Sequence, residues 1–153
     1  MGLFSFIKGA GKKLFGAKEE AAPSEEKSQL KASALLAHVQ GLGLSFKSLK
    51  ISVMADDSVV VSGEVEQQAD AEKIVLALGN IDGVETVNNQ MTVMVPAPEA
   101  RYYTVVSGDS LSKIAKEYYG DMMKYHVIFD ANKPMLTDAD LIYPGQVLRI
   151  PNL

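Results

Sequence analysis

Leu78-Gly79-Asn80-Ile81-Asp82-Gly83-Val84 lies near the middle of the chain, between an apolar helical run, Ile74 to Leu78, and an apolar strand-like run, Val87 to Val95. Gly79 stands where a helix should end, and glycine takes the left-handed conformation that closes a helix at little cost. The last carbonyls of such a helix have no partner inside it and carry the negative end of its dipole. Gly83 lets the backbone bend again before the strand. A turn of this kind can aim several carbonyl oxygens at one point, and neutral carbonyls are what replaces the hydration shell of potassium in proteins. The plainer reading is a helix cap and a tight turn with no ligand. The rest of the chain has to decide between them.

Upstream, Gln67 to Leu78 reads as a helix whose second half, Ile74-Val75-Leu76-Ala77-Leu78, is apolar all round. A helix like that must be covered on two sides. Leu49 to Met54 and Ser58 to Gly63 read as a strand pair turning at Asp56-Asp57, and supply one cover. The N-terminus is the candidate for the other. Residues 3 to 15 read as a short amphipathic helix, with Leu3, Ile7, Ala10 and Leu14 at helical spacing. Docked, that helix would place Phe4 to Ala10 beside the Gly79–Val84 turn. Undocked, its lysines would suit a membrane surface. Residues 18 to 24 form a small, charged linker with Pro23. Ser24 then caps a helix whose apolar face is Ala32, Leu35, Leu36 and Val39, ended by Gly41 and Gly43.

Composition narrows the function classes. The 153 residues are 47% hydrophobic and 22% charged, enough for one domain or two small ones. The net charge of −4 is uneven. Residues 1 to 18 hold Lys8, Lys12, Lys13 and Lys18 and no acid, a charge of +4, leaving −8 on the remainder. An acidic body argues against nucleic acid. With no cysteine there is neither disulfide nor thiolate metal site. The start lacks the continuous apolar core of a secretory signal, and Phe6 breaks the myristoylation pattern, so the protein is expected to stay in the cytoplasm. His38 and His126 fall in different halves and form no triad or metal cluster, so an enzyme is not expected.

The order helix–strand–strand–helix–strand resembles a BON domain over about residues 25 to 95. Ile51-Ser52-Val53, Val59-Val60-Val61-Ser62-Gly63-Glu64-Val65 and Gly83-Val84-Glu85-Thr86-Val87-Asn88-Asn89 carry the likeness. Asp57-Ser58 departs from it, standing where that family usually has Asp-Gly. After the stiff linker Pro96-Ala97-Pro98-Glu99-Ala100, the rest resembles a LysM domain along its whole length. Tyr103-Thr104-Val105, Gly108-Asp109-Ser110-Leu111, Ile114-Ala115, Tyr119-Gly120, Asn132 and Pro144 to Pro151 stand where that family has them. The LysM likeness implies a groove for N-acetylglucosamine chains. The plain alternative is that Asp109 and Ser110 cap, Gly108 and Gly145 turn, and Pro144 stiffens.

The two domains in this order, behind Met1-Gly2-Leu3-Phe4, resemble the small cytoplasmic BON–LysM potassium-binding proteins of bacteria, with Asn132-Lys133-Pro134-Met135-Leu136 adding to the match. The expected fold is therefore α+β: a small BON-type α/β sandwich, then a LysM βααβ domain, with an N-terminal amphipathic helix. The expected boundaries are 1–23 for the helix and linker, 24–95 for BON, 96–101 for a linker and 102–153 for LysM. The resemblance implies a monomeric ion sensor or buffer that changes conformation on taking up K+ in or beside the BON domain, with the LysM domain supporting that state. The residues suit this, since calcium or magnesium would call for converging carboxylates, and the turn holds only Asp82 and Glu85. The expected ligands are backbone oxygens of Ile7 and Ala10 in the N-terminal segment and of Gly79, Ile81 and Val84 in the turn. The competing readings are an envelope protein binding a peptidoglycan fragment through the LysM groove, and a BON protein binding lipid at a membrane surface.

Overall fold

The computed structural model describes residues 2–7, 9–16 and 24–152. The expected linker at residues 18 to 24 lies outside them except for Ser24. The first four described residues form a strand, β1 (Gly2–Ser5). Helix α1 (Ser24–Leu42), strands β2 (Ser48–Val53) and β3 (Val59–Gln67), helix α2 (Gln68–Gly79) and strand β4 (Thr86–Val95) follow. The C-terminal part is β5 (Arg101–Thr104), α3 (Leu111–Tyr119), a 3-10 turn (Met122–Lys124), α4 (Tyr125–Ala131) and β6 (Val147–Ile150).

Strands β1 to β4 form one sheet in the order β1-β4-β3-β2. Strands β3 and β4 are parallel, joined by α2 as a crossover, and the flanking pairs are antiparallel. Parallel pairing needs such a crossover and buries both strands. Val59, Val61 and Val65 of β3 and Val87 and Met91 of β4 accordingly lie in the core with Leu35 and Val39 of α1. The β2–β3 turn closes through Met54 N–H to the Ser58 carbonyl at 2.8 Å. Asp57 takes φ +66° there, a left-handed conformation that aspartate tolerates better than most residues. That is how the chain dispenses with the expected Asp-Gly. Gly43, with φ +77°, follows the end of α1, whereas Gly41 lies within the helix rather than ending it.

The second sheet pairs β5 with β6 antiparallel. Ser110 Oγ accepts from the Lys113 N–H at the start of α3, and Gly120 closes that helix in the left-handed region. The two halves share their packing. Val147 of β6 belongs to the first core, and Tyr102 and Met135 pack against it.

The N-terminal helix expected at residues 3 to 15 is not formed. Leu3 is 69% and Ile7 54% exposed, whereas Phe6 is 7% exposed. Phe4 packs against the first core. The working period is two, with Phe4 and Phe6 inward and Leu3, Ser5 and Ile7 outward. The 3.6-residue spacing of Leu3, Ile7, Ala10 and Leu14 competes with this alternation in the sequence. Pairing with β4 wins, because Gly2–Ser5 then meet Asn89–Thr86 along an otherwise open strand edge.

Candidate functional site

Leu78 to Val84 is the end of α2 and the turn beyond it. From Ile74 to Ile81 every residue is buried, as an all-round apolar helix requires. Gly79 is the last helical residue, with no left-handed backbone. Its small size serves another purpose. A Cβ at Gly79 would collide with the ring of Phe6, so the glycine leaves a flat seat on which that ring lies. Gly83, at φ +100°, does bend the chain in the way only glycine does cheaply.

The N-terminal arm runs along this turn and is fixed to it through main-chain groups. Phe6 N–H donates to the Glu85 carbonyl at 2.7 Å. Farther on, Lys12 N–H donates to the Asn80 carbonyl at 3.0 Å, and Asp82 N–H to the Lys12 carbonyl at 2.8 Å. Lys12 and Ile81 thus form a parallel bridge. A side chain at Gly11 would strike the Asn80 backbone, so the arm can approach this closely only with glycine there. Phe15 then lies 3.7 Å from where a Gly83 Cβ would be, and the Lys31 ammonium sits 5.0 Å from its ring centre.

The five expected carbonyl donors fall inside this junction. Ile7 and Ala10 lie on the arm between its attachments at Phe6 and Lys12, and the Ile7 carbonyl accepts from the Ala10 N–H at 3.1 Å. Gly79, Ile81 and Val84 lie on the facing turn, all buried, and the Ile81 carbonyl accepts from the Val84 N–H at 3.0 Å. A carbonyl oxygen has two lone pairs, so these bonds leave capacity for another partner. The donors are neutral. Among the described residues, no group of three His, Asp or Glu is placed to hold a metal ion.

The LysM half closes the junction from a third side. The Gly145 turn packs on the arm, with the Ala10 Cβ 2.5 Å and the Ile7 Cδ1 3.5 Å from where a Gly145 Cβ would stand. The ring of Phe4 meets Tyr102 edge-on at 5.3 Å. Asn80 joins all three parts. Its backbone N–H donates to Leu76 and its carbonyl accepts from Lys12. Its side-chain Nδ2 donates to the Val147 carbonyl at 2.9 Å, and its Oδ1 accepts from the Val147 N–H at 2.9 Å. The amide therefore pairs with β6 much as a neighbouring strand would. Beside it, Arg149 Nε donates to Glu72 Oε1 at 2.8 Å in a buried ion pair. Gln68 Nε2 and the Ala100 N–H both donate to Glu72 Oε2.

Sequence reasoning missed Glu72, Arg149 and this use of Asn80. A signal for the first two exists. Glu72 is a charge on a helix buried on most sides, and Arg149 interrupts the apolar run Val147 to Ile150. Asp109 and Ser110 have structural tasks: Asp109 Oδ2 accepts from the Tyr103 hydroxyl at 2.5 Å and the Val106 N–H at 2.9 Å. The hydrogen bond to Asp109 pushes the Tyr103 hydroxyl up to about 12. His38 and His126 stay apart. His126 Nδ1 lies 2.8 Å from the Met123 carbonyl.

Comparison with known proteins agrees with this architecture. The BON domain family matches residues 31–94 and the LysM domain family residues 103–151. The potassium binding protein Kbp of Escherichia coli is 42% identical over 151 residues, which cover 99% of each chain. A protein of Deinococcus radiodurans is 34% identical over 78% of this chain and 51% of its own. An esterase of Mycobacterium tuberculosis is 36% identical over 54% of this chain but only 17% of its own. With both domains in place, in the same order and along the full length of the Escherichia coli relative, the chain belongs to the BON–LysM family of Kbp.

Proposed function

We propose that this protein is a cytoplasmic potassium-binding module. In this reading the ion is held where the N-terminal arm crosses the Gly79–Val84 turn, by backbone oxygens of Ile7, Ala10, Gly79, Ile81 and Val84. The observation that carries it is the double attachment of the arm, at Phe6–Glu85 and at Lys12 with Asn80 and Asp82, which brackets the candidate donors. The name of the Escherichia coli relative supports the choice of ion. So does the neutrality of the donors, because hard divalent cations are held by carboxylates. An ion that binds only the closed arrangement shifts the population towards it, and ordering of a segment is a common form of such a switch. Potassium then holds the arm down, and the LysM half reads the closed state through Gly145 and Asn80.

The test is a thermal melt in chlorides of potassium, rubidium, caesium, sodium and lithium at equal ionic strength. The three larger ions should raise the melting temperature more than sodium or lithium. A ligand at about one hundred times its dissociation constant adds roughly 2.7 kcal/mol. Equal shifts in all five salts would reduce the effect to ionic strength and end this reading.

A further inference from the structure

Behind the junction lies a cavity of about 290 Å³, between α1, the end of α2, the arm and the LysM half. Its polar lining is Lys12, His38, Asn80, Thr137, Tyr143 and Gln146. No aspartate or glutamate lines it among the described residues. The one formal charge of the described lining is thus positive, that of Lys12, in a chain of net charge −4. Burial, and then the charge of Lys12, lower the pKa of His38. At neutral pH His38 is therefore an uncharged imidazole, and Lys12 supplies the positive charge of the cavity.

We infer that this cavity is a binding site for a small phosphate monoester, with the phosphate against Lys12 and His38 and the alcohol part towards Leu136, Leu141 and Gln146. The phosphate follows from the donors. Lys12 is a compact point charge, the form in which lysine holds phosphate, and the His38 imidazole with the Thr137 and Tyr143 hydroxyls adds neutral donors for its oxygens. The ester follows from the size and the remaining walls. A volume near 290 Å³ is at the small end for organic ligands but well above that of one ion. Leu42, Leu136 and Leu141 give the cavity an apolar side. Gln146 is 4% exposed, and its Oε1 is buried without a hydrogen-bond partner. Buried acceptors are nearly always satisfied, and a hydroxyl on the ligand would satisfy this one. The site is separate from the candidate carbonyls, and its test does not depend on them.

The experiment is an amide chemical-shift titration of the full chain at a fixed potassium concentration, with the sodium salt of glycerol 3-phosphate. Inorganic phosphate and glycerol are run in parallel. Amides of Ala77, Asn80, Leu136 and Gln146 should shift saturably, and the ester should bind at least tenfold more tightly than inorganic phosphate. Lys12→Gln keeps the main-chain bonds that Lys12 makes to the turn and replaces the ammonium with a shorter, neutral amide. Its melting temperature should hold while ester affinity falls tenfold or more. The site is refuted by absence of saturable shifts at these amides, or by an unchanged affinity in Lys12→Gln. An ester that binds no more tightly than phosphate, or a response that glycerol reproduces, refutes the monoester assignment.

Discussion

Gly79 and Gly41 are both helical glycines, and their surroundings give them opposite expected responses to one methyl group. Nothing lies within 4 Å of where a Gly41 Cβ would stand, whereas a Gly79 Cβ meets the Phe6 ring. Gly41→Ala should therefore stabilise the protein by about 0.5–1 kcal/mol, the usual gain from removing a glycine inside a helix. Gly79→Ala has the same gain set against overpacking of about 1–3 kcal/mol, so it should destabilise. Denaturant unfolding of both variants reads the signs directly, and a stabilised Gly79→Ala would mean that Phe6 does not seat on this glycine. The sequence marked Gly79 as special but could not say why. A helix-ending glycine and a glycine under an aromatic ring look alike when the ring comes from 73 residues away in sequence. Asn80 was hidden in a similar way. An asparagine after a helix is ordinary, and only the fold reveals that its amide pairs with Val147.

Among the elements, β1 is where sequence reasoning chose the wrong period and still put the segment in the right place. Leu3, Phe4, Phe6 and Ile7 satisfy both a helical and an alternating pattern over so short a run, a known ambiguity of short apolar stretches. The need for a cover over α2 was legible, because an all-round apolar helix demands one. The strand edge of β4 that captures the arm was not, since it exists only after β3 and β4 have paired in parallel. The two periods make different predictions for single side chains. Phe6→Ala should cost about 3–5 kcal/mol, as for other buried phenylalanines, while Leu3→Ala should stay within about 0.5 kcal/mol, as for exposed positions. Comparable losses at both, measured by thermal and denaturant unfolding, would restore the helical reading. The remaining strands and helices were legible because they repeat their patterns for longer and end at glycine, aspartate or proline.

For the whole molecule, the question is what joins the two small domains. Their shared surface contains the Asn80–Val147 pairing and the buried Glu72–Arg149 ion pair. Removing one partner of a buried pair leaves an uncompensated charge and costs about 3–5 kcal/mol. Arg149→Met should lower stability by that order and, because the pair spans both halves, should make the two halves unfold less cooperatively in calorimetry than in the parent chain. A single transition at an unchanged temperature would show that the halves are coupled elsewhere. These long-range pairs were not legible from the sequence because their partners lie 67 and 77 residues apart. The arm has one more consequence at this scale. In the sheet order β1-β4-β3-β2, β1 is what borders β4 on its outer side. Were the arm to lift, β4 would present a row of unpaired N–H and C=O groups, a template for any matching strand. The best-matched strand available is the Gly2–Ser5 segment of a second molecule, whose register with Thr86–Asn89 is already encoded. Strand exchange between molecules would then compete with closure, and weakening the attachments of the arm at Phe6 and Lys12 should favour it, which the elution volume of a Phe6→Ala variant on size exclusion would show.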